Sequence, residues 1–450
     1  PLDHATLRPL LPRLHALSTG KRRPHARRVA KTLEIMEDRE RSIAGLQAGE
    51  SLGLPVPDFP GPCPVSEQPG RDVVEVGLVQ AGWASTGLYV PPGRVVEVER
   101  VRAPESREPG LMLQIGCHKD RLWHKDGWKR DPEITRSFAL TAKTRIWSRH
   151  GGLLYLVSKK PVEPLQLRIT GCVRAPRFVL GKDDAGTWKR ARSLTAPWGE
   201  IEGRRIIFAL PTQVLATVED PTSILEFWDS VVDCYETLDP QPTRPRKQRV
   251  VSDRQISAGY MHAGYPIMTW MDAPPKIVDL GWVHDRKGGG PWGLFHEIGH
   301  NYQQRAWTFG GTGEVTNNVF VLYGYEKLLG RKSLDTAMRR KMPERAKKHL
   351  AAGAPFARWK SSPFLALEMY RQLSVGFGWE VIRKAFASYR ETPVAARASD
   401  QVKRDEWLLR TSRAAGRDLG PFFERWGVPV TPEARAALSG LEPWSGPGKD

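Results

Sequence analysis

Cysteine is scarce: Cys63, Cys117, Cys172 and Cys234 are widely spaced in 450 residues and form no CxxC pair, which argues against a structural zinc knuckle. The four leave the compartment open. An oxidising environment would pair two of them, Cys117 with Cys172 inside one sheet domain being the candidate pair, whereas a reducing one leaves all four as small buried apolar residues. No apolar run approaches the roughly 18 residues that span a bilayer, so no membrane span is expected. Internal repeats and low-complexity tracts are missing. The chain opens at Pro1 with neither an initiator methionine nor a signal peptide, the pattern of a trimmed or processed product. Its net charge is +18, but the basic residues are scattered and no helix-turn-helix, RNP or zinc-finger pattern accompanies them. Nucleic acid is therefore not an expected partner, and a solvated basic surface is the simplest account of the charge. The length points to two or three domains.

What is present concentrates between Gly288 and Gly330, GGGPWGLFHEIGHNYQQRAWTFGGTGEVTNNVFVLYGYEKLLG. A helix here puts His296 and His300, at i and i+4, on one face. Two imidazoles and a third protein ligand would leave a tetrahedral zinc ion one open position, as catalytic sites require. The expected third ligand is Glu314. It follows His300 after a thirteen-residue gap containing Gly310, Gly311 and Gly313, room for one helix to stop and another to begin. Val315 to Leu329 reads as that second helix, with Gly330 as its C′ residue. Glu297 points to a different side of the turn from the histidines and is placed to act as general base on water beside the ion, passing the proton to a leaving amine. The implied reaction is peptide-bond hydrolysis with one Zn2+ per chain. Asn318, one turn after Glu314 on the same face, is the candidate for holding a histidine tautomer. HExxH alone arises by chance in ordinary helices. The apolar lead-in of Trp292, Leu294 and Phe295, the glycine-rich entry and the spaced glutamate are what favour a metal site here.

GGPWGLFHEIGHNYQ followed by WTFGGTGEVTNN resembles the active-site signature of the enhancin-like, mucin-directed zinc metallopeptidases (peptidase family M-sixty). QISAGYMHAGYPIM (Gln255 to Met268) and LWHKDGWKRDPEITRSFAL (Leu122 to Leu140) resemble the same family, and the likeness extends from about Val74 to Tyr389. It implies His296, His300 and Glu314 as zinc ligands, Glu297 as catalytic base, a β-sandwich ahead of a gluzincin-type catalytic part, and mucin-type O-glycoprotein substrates. Anionic glycans on such substrates would be drawn to the basic surface. A secreted or cell-surface location and a monomer are the accompanying expectations. Some relatives, the TRP-channel-associated factors, have a degraded motif and are regarded as non-peptidases, whereas this chain keeps every motif residue. The rival reading is thus a non-catalytic binding module, against which the intact Glu297 speaks.

The expected fold is α+β and multidomain: a jelly-roll-like β-sandwich, then a zincin-type metallopeptidase domain, then a helical C-terminal subdomain. Residues 1–60 read as a helical N-terminal segment and linker, with amphipathic faces between Leu7 and Leu46 and a proline- and glycine-rich stretch from Pro55 to Gly70. Residues 71–175 carry short strands between Leu88 and Cys172, the texture of a sandwich. Trp123 and Trp128, between two of these strands, are candidates for glycan contact, their indoles suiting a sugar face, or else loop anchors. Residues 176–330 form the expected zincin subdomain: a strand at Arg204 to Leu210, a helix from Thr222 to Leu238 behind Pro221, strands at Arg249 to Ser252 and Gln255 to Ser257, then the HExxH helix. An edge strand in such an order can bind an extended peptide. Tyr260, His262 and Tyr265, in the turn after it, are oxyanion candidates or packing residues. Residues 331–450 read as helices at Asp335 to Ala352, Pro363 to Phe377, Trp379 to Tyr389 and Glu406 to Arg413, with Phe422, Phe423 and Trp426 packing a last short one.

Overall fold

The computed structural model of the chain describes residues 46–53, 56–64, 69–102, 110–240, 246–285, 290–331, 340–395 and 397–447. The helices expected up to residue 45 lie outside these. Two compact units emerge, Pro1–Glu226 with Arg246–Val278, and Phe227–Pro245 with Asp279–Asp450. They cut the chain at other places than residues 175 and 330, because the strands that follow the sandwich pack into the sandwich's own unit.

The first unit begins with eight antiparallel strands: β1 (Gly70–Leu78), β2 (Gly82–Val90), β3 (Val96–Arg102), β4 (Met112–Ile115), β5 (Arg136–Ala139), β6 (Lys143–Ile146), β7 (Gly152–Ser158) and β8 (Val162–Arg174). Hydrogen bonding gives the orders β1-β8-β3-β6 and β2-β7-β4-β5, the two four-stranded sheets of a jelly roll. The end of β8 also pairs with β2, through Val173 and Arg174, and so joins the sheets. Period-two alternation makes the core. In β8, Leu165, Leu167 and Ile169 are buried while Gln166, Arg168 and Thr170 are only half-buried, and the first set packs with Val98, Leu113 and Leu154 of the other strands.

Six further strands, β9 (Arg177–Val179), β10 (Trp198–Glu202), β11 (Ile206–Pro211), β12 (Gln248–Asp253), β13 (Met261–His262) and β14 (Ile267–Trp270), form a mixed sheet in the order β13-β14-β12-β11-β10-β9. Every residue of β11 and β12 is buried, as expected for central strands. A second apolar cluster unites Trp83, Tyr155 and Val173 of the sandwich with Trp198, Ala209, Val251 and Met268 of this sheet. Helices α1 (Ala185–Ala191), α2 (Thr212–Leu215), the start of α3 (Pro221–Leu238) and α4 (Ala273–Val278) complete the unit.

Three expectations need correction here. Gln255 to Ser257 is not a strand: the Gln255 side chain is spent tying down a loop, donating to Gly127 O and accepting from Lys129 N. The sheet's edge is instead β13, so His262 lies in the edge strand rather than in a turn beyond it. None of the four cysteines is in a disulfide, and Cys117 and Cys172 belong to different apolar clusters, so the candidate bridge between them does not form.

The second unit is helical. It takes the rest of α3 and adds α5 (Leu280–His284), α6 (Trp292–Tyr302), α7 (Gly313–Leu329), α8 (Met342–Ala351), α9 (Phe356–Lys360), α10 (Pro363–Phe377), α11 (Glu380–Glu391), α12 (Asp400–Ala415), α13 (Gly420–Arg425) and α14 (Pro432–Ala436). α10 starts with a proline and ends at Gly378, the boundaries its sequence signals. Among the described residues no helix is long and apolar enough to cross a membrane.

Candidate metal centre

One face of α6 is fixed by apolar packing. Phe295 is enclosed by the rings of Phe227, Trp228, Tyr235 and Tyr325, and the Tyr235 hydroxyl donates to its carbonyl at 3.0 Å. The other face, bearing His296 and His300, meets α7. Glycine permits the approach: a Cβ on Gly299 would lie 2.5 Å from the backbone oxygen of Asn317. At the head of α7, Thr312 accepts from Phe309 N through its hydroxyl at 2.9 Å. Glu314 departs from helical geometry with φ −96° and ψ 20°, the sparsely populated bridge region in which active-site residues often sit.

Three donor atoms converge between these helices. The Nε2 atoms of His296 and His300 are 3.1 Å apart, and Glu314 Oε2 lies 3.0 Å from the first and 3.4 Å from the second. Among the described residues this is the sole cluster of three or more His, Cys, Asp or Glu side chains whose ligand atoms all fall within 4.8 Å of one another. Glu297, on the same helix, is buried at 7% exposure.

The tautomers follow from neighbouring carboxamides. Asn318 donates from Nδ2 to Glu314 O at 2.8 Å, which points its oxygen at His296 Nδ1, 2.8 Å away. Gln303 donates from Nε2 to Gly313 O at 2.8 Å and to Thr316 Oγ1 at 2.6 Å, which points its oxygen at His300 Nδ1, 2.6 Å away. An amide oxygen only accepts, so each Nδ1 carries the proton and each Nε2 presents a lone pair to the cluster. Two lone pairs and a carboxylate face one another, and the arrangement calls for positive charge. Burial lowers the His300 pKa, but hydrogen bonds with Glu314 and Gln303 outweigh it and hold the imidazole above its ordinary value. Contacts with His296 and then His300 hold the Glu314 carboxyl far below the usual carboxylate range. Two imidazole nitrogens, one carboxylate oxygen and fixed tautomers are a donor set that fits zinc.

Sequence reasoning anticipated His296, His300, Glu314 and Asn318, and the structure brings these four together. It missed Gln303 and Asn317. Gln303 lies just past the end of α6, where no helical spacing points to it. Asn317, three residues after Glu314, stands at helical spacing from it just as Asn318 does at four, and had the same signal.

The remaining candidates belong to the first unit and are engaged there. Tyr260 donates its hydroxyl to Asp272. His262 has Nε2 2.8 Å from Asp120 Oδ2 and Nδ1 3.0 Å from Ala263 O, so both ring nitrogens face acceptors. The Tyr265 oxygen accepts from Trp83 N at 3.3 Å, and Arg246 stacks on its ring at 3.5 Å. Trp123 and Trp128 meet edge to face at 5.5 Å, and their ring N–H groups donate to Glu133 and to Leu122 O within the same loop.

Comparison with known proteins places this geometry in a family. Residues 73–170 match the N-terminal domain of M60-like peptidases, and residues 171–427 match Peptidase M60, enhancin and enhancin-like. TRPM8 channel-associated factor 3 of Mus musculus is 37% identical over 374 residues, covering 80% of this chain and 40% of that protein, so the chain spans about two fifths of the length of the curated relatives it matches. Two solved structures share the fold. A mutant of a functionally unknown conserved protein from Bacillus anthracis has a TM-score of 0.68 at 22% identity, covering 83% of this chain and 80% of its own. IMPa from Pseudomonas aeruginosa in complex with an O-glycopeptide has a TM-score of 0.64 at 17% identity, covering 84% and 52%. The family model takes in the two metal-centre helices and the mixed sheet together, and the chain belongs to the Peptidase M60, enhancin and enhancin-like family.

Proposed function

We propose that this chain is a zinc-dependent endopeptidase that cuts peptide bonds in mucin-type O-glycoproteins. The convergence of His296 Nε2, His300 Nε2 and Glu314 Oε2, with both Nδ1 protons committed to amide oxygens, carries the reading. Zinc bound there would supply Lewis acidity to the scissile carbonyl and to water. Glu297, adjacent to His296, accepts the proton of the attacking water and delivers it to the departing amine. Asn318 and Gln303 keep the two imidazoles in the ligating tautomer.

The substrate class draws on the O-glycopeptide in the IMPa complex and on the net charge of +18, which would attract anionic glycans. Trp123 and Trp128 are the aromatic faces proposed to meet sugar, and a secreted or cell-surface location goes with such a substrate. A second reading, a non-catalytic binding module, is favoured by the 37% identity to a channel-associated factor. One experiment separates the two: metal analysis of the purified chain and of Glu297→Ala, followed by incubation of both with an O-glycosylated mucin, with and without chelator. One zinc in each protein, with cleavage by the unmutated chain alone and lost on chelation, is the expected result. Zinc in both with no cleavage of any glycoprotein favours the binding module.

A further inference from the structure

Three carboxamides surround the two imidazoles, and one differs from the others. Asn318 and Gln303 are each locked by a carbonyl acceptor at the nitrogen end. Asn317 has no such lock. Its side chain is wholly buried, its Nδ2 lies 2.9 Å from His300 Nε2 and 3.1 Å from His296 Nε2, and its Oδ1 has no hydrogen-bond partner. The same nitrogen is 3.0 Å from His296 Nδ1, so it sits over that ring's face, and the in-line contact is the one to His300. The backbone beneath is wedged against Gly299, which keeps the amide in the cluster whichever way it turns.

This orientation is inverted for a filled metal centre. The amide donor occupies the His300 lone pair that a cation would use, while the acceptor that would welcome a cation is orphaned. Half a turn of the amide exchanges two ends of nearly equal shape and cures both defects. We propose that Asn317 is a metal-facing residue: half a turn of its amide presents the otherwise unpartnered oxygen to a cation held by His296, His300 and Glu314. This rests on the metal-centre reading above and extends it, because Asn317 then helps to set how tightly the ion is held.

The test is Zn2+ affinity of the full chain, measured by competition with a chromophoric chelator, together with the visible spectrum of the Co2+-loaded protein. Asn317→Leu keeps the bulk and removes both ends of the amide; Asn317→Asp offers oxygen at both ends and no donor. The expected results are a loss of affinity of roughly 10–100-fold for the leucine variant, the range found for groups that support metal ligands, a gain for the aspartate variant, and a Co2+ spectrum altered in both. Affinity and spectrum of Asn317→Leu equal to those of the unmutated chain overturn the proposal. Should Asn317→Leu fail to melt cooperatively without metal, the aspartate variant decides alone, and affinity no higher than that of the unmutated chain overturns it. An unmutated chain that takes up no Zn2+ sinks the metal centre and this inference together, whereas Zn2+ uptake indifferent to residue 317 sinks this inference only.

Discussion

Glu297 and the two locked amides act on the same cluster through different physics, and substitution separates them. Glu297 is buried beside the histidines but contributes no ligand atom to the convergent trio. Glu297→Gln should therefore leave zinc content at that of the unmutated chain and lower cleavage of an O-glycosylated substrate by about 10²–10⁴-fold, the usual worth of a positioned acid–base group. Metal analysis beside a turnover assay reads both halves of the prediction. Gln303→Leu should do the reverse. Losing the oxygen that accepts from His300 Nδ1 frees the ring to tautomerise and turn, so zinc affinity falls by about 10–100-fold while Glu297 stays in place. Chelator competition measures it. Of these residues, Asn318 was legible because it follows Glu314 at helical spacing. Gln303 was not, because its contact exists only where α6 has ended, at φ −59° and ψ 139°, and the side chain reaches across to the carbonyl of Gly313. That is a tertiary meeting, and no period in the sequence encodes it.

Among elements, the decisive contact is α6 against α7. The candidate metal ligands come from both helices, and Gly299 sets their separation, since a side chain there would strike the backbone oxygen of Asn317 at 2.5 Å. Backbone cannot step aside as a flexible side chain can. Gly299→Ala should therefore cost about 1–3 kcal/mol of stability through overpacking and weaken zinc binding as well, because Glu314 is carried away from the histidines. A fall in thermal midpoint together with reduced zinc affinity is the expected pair. An unchanged midpoint would mean that the helices have slack. The elements that could be read from sequence are those whose local signals agree with their packing. β8 alternates cleanly, and α10 runs from Pro363 to Phe377 between a proline and a glycine. The elements that could not are those held by neighbours. β1 follows a proline-rich stretch and is recruited by pairing with β8, and the first half of β2, Gly82 to Gly87, is mostly small and polar. Gln255 to Ser257 has the composition of a strand but spends its side-chain hydrogen bonds on the loop at Gly127 to Lys129.

At the scale of the molecule, the first unit carries an acid sensitivity that has nothing to do with the metal centre. His118 is 1% exposed, with its ring edge-on to Trp198 at 4.4 Å and to Phe59 at 4.8 Å. Burial, reinforced by the nearby Arg130 guanidinium, holds its pKa well below the ordinary histidine value, against a smaller opposing contact with the Ser252 backbone. His150 is lowered too, because burial outweighs its hydrogen bond to Asp131. The unfolded chain binds a proton at each site near pH 6.5, whereas the folded chain refuses it. Depressed folded values mean that the stability is present above the unfolded pKa and is lost as pH falls toward the folded one. Each histidine then removes up to about 1.4 kcal/mol per pH unit below about pH 6.5. Chemical denaturation of the chain between about pH 8 and pH 5 should accordingly show a midpoint that is flat at first and then declines. His118→Phe, which keeps an aromatic ring between Phe59 and Trp198, should flatten part of that decline whatever it does to stability at neutral pH. The slope is the diagnostic quantity. A packing role for His118 would shift the whole curve by a constant, and only a buried neutral imidazole makes the shift grow as protons are added.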